Sequence, residues 1–178
     1  KKILNIDNQN AEAFFMMGMI YRAQGEIERA INSFQTSVEI DPEIVDAWII
    51  LGDLFAEKNL SIADQYYDNA IRLAPENMQT YHAKAFYLQN SGKVGEAIAL
   101  YKDINAKDPQ YADAYLNTGI LYLEMDSIEQ ALEHFDILVK IEPQMALGYY
   151  YRGISNLFNG DAGIAKSDLE QALQLDPS

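Results

Sequence analysis

The sequence contains no cysteine. That excludes disulfides, thiolate zinc sites, iron–sulfur clusters and cysteine nucleophiles together. It leaves the compartment open, because a cysteine-free chain tolerates any redox environment. Basic residues are scarce: 13 Lys plus Arg stand against 27 Asp plus Glu, a formal charge of −14. A chain so acidic lacks the basic surface that neutralises phosphate, so direct binding to DNA or RNA is not expected. An anionic membrane surface is disfavoured for the same reason. A basic partner is permitted. The surplus is spread evenly, −6 over residues 1–89 and −8 over 90–178, with no acidic tail or basic arm.

Long apolar runs are missing too. The longest mostly apolar stretch, Ala13 to Tyr21, is far short of the roughly 20 residues that a transmembrane helix needs. The opening Lys-Lys-Ile-Leu-Asn-Ile-Asp has no apolar core of a signal peptide and no methionine. The chain therefore reads as a fragment of something longer, which leaves a targeting signal upstream open. What is present is an ordinary globular composition, 49% apolar and 22% charged. At 178 residues it is about the size of one domain.

Proline is scarce, and its placement is the strongest signal. The five prolines stand at 42, 75, 109, 143 and 177, spaced by 33, 34, 34 and 34. Alanine keeps the same beat at Ala30, Ala63, Ala97, Ala131 and Ala165. Aromatic residues follow it at Phe14, Trp48, Tyr81, Tyr115 and Tyr149, and small residues at Gly18, Gly52, Ala85, Gly119 and Gly153. A ring or large aliphatic recurs at Phe34, Tyr67, Tyr101, Phe135 and Leu169. Several independent columns in one register identify an internal repeat. Cutting on it gives units 11–44, 45–77, 78–111, 112–145 and 146–178 within a single domain over 1–178. Residues 1–10 fit the tail of a preceding unit, with Ile3, Leu4 and Ile6 continuing an apolar helix face.

Each unit reads as two helices. In the first, Phe14, Met17 and Tyr21 recur at helical spacing over 11–24. Gly25 then ends the helix. A second helix over 27–40 puts Ala30, Phe34 and Val38 on one face and Glu28, Arg29, Asn32, Gln35 and Glu39 on the other. Asp41-Pro42 stops it, because proline disfavours helix in the residue before it. Gly18 and Ala30 are expected to face each other where the two helices cross.

No catalytic constellation emerges. The two histidines, His82 and His134, fall in different units, and a metal site needs several convergent ligands. No metal and no cofactor are expected. Gly92-Lys93-Val94-Gly95 lacks the spacing of a phosphate loop and falls where the turn between helices belongs.

The pattern resembles the tetratricopeptide repeat family. Trp48, Leu51, Gly52, Phe55, Ala63, Tyr67 and Pro75 carry its motif, and Phe14, Gly18, Tyr21, Ala30, Phe34 and Pro42 carry it nearly as well. The wording of the repeats looks bacterial. Lys84, Thr118 and Arg152 depart from the usual leucine column, and Asn156 replaces an aromatic. Long Lys and Arg stems can pack while their heads reach water. The resemblance implies an all-α, right-handed α-solenoid whose first helices line a concave groove.

The positions that face the groove in this family carry large apolar side chains here. Phe15, Met19, Ile49, Phe86, Ile120, Leu123, Tyr150 and Ile154 are the expected partner-binding residues, with Asp46, Asp53, Asp113 and Glu124 at the rim. An apolar patch of this size on a soluble protein marks an interaction site. The expected function is a non-catalytic scaffold for a protein or peptide with apolar anchors and some basic character. Two alternatives stay open: self-assembly through the groove or an uncapped C-terminal end, and an accessory domain of a larger enzyme. The cationic residues of the clamp that holds acidic chaperone C-termini in some members are missing in every register, so such a tail is not expected to bind. Bacterial cytoplasm and periplasm, the latter through a lipoprotein signal, both remain open.

Overall fold

The computed structural model describes residues 10–58 and 61–177. The proposed tail of a preceding unit, residues 1–9, lies outside the described residues. Among the described residues the chain is all helix, ten in number, with no strand. It divides into two compact units, residues 1–90 and 91–178. A chain of repeats has no single centre, because each repeat touches only its neighbours.

The first unit holds α1 (Ala11–Ala23), α2 (Ile27–Ile40), α3 (Val45–Glu57), α4 (Ala63–Leu73) and α5 (Met78–Asn90). The second holds α6 (Val94–Lys107), α7 (Ala112–Glu124), α8 (Ile128–Ile141), α9 (Ala146–Phe158) and α10 (Ala162–Leu175). Odd-numbered helices are the first helices of the repeats and even-numbered ones the second. In the first repeat Gly25 takes φ +75°, and the Glu26 N–H bonds back to the Tyr21 carbonyl at 2.9 Å. This is a left-handed cap that an L side chain enters at a cost. Asp126 adopts φ +57° at the equivalent turn, a role acidic and amide side chains tolerate better than most.

The core of each unit is built where helices cross. In the first unit Ala30, Ile31, Phe34, Val38, Ala47, Leu51 and Leu54 form one buried cluster. Ile49, Ala63, Tyr67 and Ala70 form another. In the second unit Ala131, Phe135 and Leu138 are fully buried beneath residues of α7 and α9. The glycines of α1, α3 and α7 answer to rings. A Cβ at Gly18 would stand 2.6 Å from Phe34, at Gly52 2.7 Å from Tyr67, and at Gly119 2.5 Å from Phe135. The small column therefore serves the ring of the partner helix. This corrects the expected pairing of Gly18 with Ala30: the side chain nearest to Gly18 is Phe34.

The leucine column also departs from expectation. The heads of Lys84 and Arg152 do not simply reach water: their side chains are only 17% and 20% exposed and end on carboxylates. Lys84 hydrogen-bonds Asp68 and lies 3.2 Å from Asp64, both on α4. Arg152 grips Asp168 with Nε at 2.9 Å and Nη2 at 2.6 Å, and reaches Asp136 with Nη1 at 3.0 Å. Asn156, which takes the aromatic position, donates to the same Asp168 at 3.3 Å. Thr118 has no such compensation. It is fully buried, and its Oγ1 has no hydrogen-bond partner. Replacing a desolvated, unpaired hydroxyl by a methyl of the same shape removes a penalty. Thr118→Val is expected to stabilise the second unit by about 1 kcal/mol. The check is a higher urea midpoint at unchanged m-value, the sign of altered stability without altered compactness.

Candidate partner-binding surface

In the first unit the predicted side chains fall into three classes. Met19 on α1 and Phe86 on α5 are 41% and 49% exposed. Each is the ninth residue of its helix, so the repeat places them at one level. Phe15 is half-buried, its ring edge-on to Phe34 at 5.6 Å. Ile49 contradicts its expected role. It is 9% exposed and packs with Ala63, Tyr67 and Ala70. It belongs to the core and offers a partner almost no surface. Met16 and Ile20 on α1 add exposed apolar area.

The acids of this unit differ as sharply. Asp46 is solvent-exposed. Asp53, the ninth residue of α3, is half-buried and accepts a hydrogen bond from the Tyr67 hydroxyl at 2.8 Å. Burial pushes its carboxyl above the ordinary carboxylate range. The Tyr67 bond and the charge of Arg22 act the other way, and Glu57 adds to the rise. Tyr67 is itself pushed well above the ordinary phenol range, by burial first and then by Asp53.

In the second unit Ile120 and Leu123 on α7 are partly buried against the Phe135 cluster, and Ile154 on α9 is likewise half-buried. Tyr150 is 45% exposed and stands edge-on to Tyr151 at 5.2 Å. Asp113 and Glu124 are exposed. Tyr150 also lines a cleft of about 430 Å³ between α9 and α10, with Ala146, Leu147, Leu169, Ala172, Leu173 and Asp176. Leu173 is 66% exposed. Sequence reasoning missed it, although its column was visible. Val139, 34 residues earlier, is buried where Gly148 of α9 lies over it, so close that a Cβ at Gly148 would stand 3.3 Å from it.

The histidines remain in separate units. His134 on α8 places Nδ1 2.8 Å from the Gln130 carbonyl, with the rings of Tyr115 and Tyr122 at 6.2 and 5.4 Å. Among the described residues no three or more His, Asp or Glu side chains converge as a metal site would require. No described helix is long and apolar enough to cross a membrane.

Comparison with known proteins gives the arrangement its kinship. The family model described as TPR repeat matches residues 18–59, and that described as Tetratricopeptide repeat matches 88–149. The chain is similar to the mitochondrial import receptor subunit TOM70 of Homo sapiens, 24% identical over 98% of this chain and 30% of that protein. It thus spans less than a third of this curated relative. The crystal structure of MamA superposes with a TM-score of 0.79 at 20% identity, covering 96% of this chain and 94% of MamA. The crystal structure of YrrB, a TPR protein with an unusual peptide-binding site, gives 0.71 at 17% identity over 99% of this chain and 92% of YrrB. These likenesses establish an α-helical solenoid fold. Two matching repeat models, the 34-residue columns and the ring-over-glycine crossings place the chain in the tetratricopeptide repeat family.

Proposed function

We propose that the chain is a non-catalytic scaffold that captures a protein or peptide segment on the faces of its first helices. The segment carries apolar anchors and some basic character. One observation carries this reading: Met19 and Phe86, at the same repeat position of α1 and α5, remain 41% and 49% exposed. Neither belongs to the buried clusters described in the first unit, and exposed apolar surface of this kind is what partners cover. The acidic surface supplies the charge preference and speeds encounter with a basic partner. The peptide-binding site named for YrrB, which shares this fold, supports the same use of the scaffold. In the second unit Tyr150 takes the place of the buried Ile49 as the better anchor, with Ile120, Leu123 and Ile154 contributing edges. We also assign the five repeats, 11–44 to 146–178, to one binding domain.

The test is selection of peptides from a random library on the immobilised chain. Recovered segments are expected to be rich in apolar and basic residues. They should bind the Met19→Glu/Phe86→Glu double variant at least tenfold more weakly, about 1.4 kcal/mol, while its helical circular dichroism is unchanged. Selected segments that bind parent and variant equally would contradict the reading. A second reading, self-association through the α9–α10 cleft, draws on the exposure of Leu173 and Tyr150. It is opposed by the repulsion between copies that each carry −14.

A further inference from the structure

The second helices carry one more column, Ser33, Tyr66, Leu100, His134 and Asp168, on the same beat as the prolines. In the later repeats its residue matches in kind the eleventh residue of the first helix. Tyr66 stacks on Phe55 with ring centroids 5.0 Å apart and meets Trp48 at 5.9 Å. His134 meets Tyr122 at 5.4 Å and Tyr115 at 6.2 Å. Leu100 answers to Leu88 in register, and Asp168 accepts a hydrogen bond from Asn156 at 3.3 Å. The first repeat breaks the rule, because its aromatic Tyr21 is matched with Ser33.

A cleft of about 300 Å³ lies at this place, lined by Phe14, Met17 and Tyr21 of α1 and by Arg29, Asn32 and Ser33 of α2. Phe14 and Tyr21 are the repeat equivalents of Trp48 and Phe55, the two rings that Tyr66 meets. Ser33 does not reach across, since its hydroxyl donates to the Arg29 carbonyl at 2.8 Å. Arg29 forms one wall. Its guanidinium stands 4.0 Å from the centroid of the Tyr21 ring, donates to the Tyr21 hydroxyl at 2.7 Å and is paired with Glu26. A cation in the wall favours a π face over a saturated ring.

We infer that this cleft is a slot for one aromatic side chain of a partner segment, with tyrosine the best fit. The repeat itself shows the occupant: what Tyr66 supplies from within in the second repeat, the partner supplies to the first. The hydroxyl of Tyr66 accepts from Gln35 Nε2 at 3.1 Å, and the exposed Arg29 and Asn32 offer donors to an incoming tyrosine in the same way. Met19 is two residues from both Met17 and Tyr21 and so lies on the opposite side of α1. The slot is therefore separate from the surface proposed above, and either can fail alone.

The test follows the Met17 methyl by NMR in the full chain. N-acetyl-tyrosinamide is expected to shift it saturably with a Kd on the order of 1 mM, ordinary for so small a ligand. The saturated counterpart, N-acetyl-cyclohexylalaninamide, should bind about fivefold more weakly, the usual effect of losing an aromatic pair. Ser33→Tyr fills the slot from within. It should abolish the tyrosinamide shift and raise the urea midpoint above those of the parent and of Ser33→Ala, which controls for helix propensity. An unmoved Met17 methyl, equal binding of the two probes, or tyrosinamide binding that survives Ser33→Tyr overturns the inference. A Ser33→Tyr chain that unfolds or is less stable than the parent overturns it too, because the place would then not accept a ring.

Discussion

Truncation of Phe135 to alanine is expected to destabilise the second unit by about 4 kcal/mol, the range for removing a fully buried ring. The side chain has no exposed surface and closes the crossing of α7 and α8. A domain of this size has about 5–15 kcal/mol in all, so the loss should lower the denaturation midpoint of that unit severely. The same crossing predicts a coupling. A Cβ at Gly119 would stand 2.5 Å from the ring, closer than packing allows, and overpacking of a helix crossing costs about 1–3 kcal/mol. Gly119→Ala should therefore destabilise the parent although alanine is the better helix former. In the Phe135→Ala background the clash is gone, and Gly119→Ala should become neutral or favourable. Chemical denaturation of the four chains measures both effects. Additive losses would show that glycine and ring are not packed as described.

Arg152→Ala is the second large effect, expected to cost about 3 kcal/mol. Asp168 has only 5% of its side chain exposed, and Arg152 supplies two of the hydrogen bonds that satisfy it. Removing the guanidinium leaves a buried carboxylate with Asn156 as its remaining donor on α9. The exposed Asp136 loses little, because exposed pairs contribute under about 1 kcal/mol. Replacing both partners removes the unpaired charge together with the pair. Arg152→Leu/Asp168→Leu should therefore recover most of the loss or exceed the parent. Arg152→Leu alone should resemble Arg152→Ala. Equal stability of parent and Arg152→Ala in a denaturant melt would mean that water, not arginine, satisfies Asp168.

The periodic columns made the helices and their crossings legible. Proline stops, the small column and the ring column each express a local requirement repeated every 34 residues, so their agreement needed no tertiary information. The leucine column resisted such reading. Arg152 looks like a surface residue with a packed stem until Asp136 and Asp168, each 16 residues away, are seen on the neighbouring helices. Ile49 failed for a related reason. Family position assigns a face, but exposure depends on what lies beside it. At α3 the large Tyr67 and small Ala63 draw the isoleucine inward, whereas at α5 Phe86 finds no such seat. Leu173 shows the converse. Val38 and Val139 of its column are buried, whereas Leu173 is 66% exposed beside the α9–α10 cleft.

The central claim, that a partner lies on the first helices, can be read from the methionines. The chain has 6 of them. Met19 lies on the proposed surface, 41% exposed on α1. With methionine methyl groups labelled, a selected peptide should be titrated into the full chain and followed by NMR. The Met19 methyl is expected to shift or broaden in proportion to occupancy. Saturating binding that leaves Met19 unchanged would contradict the account.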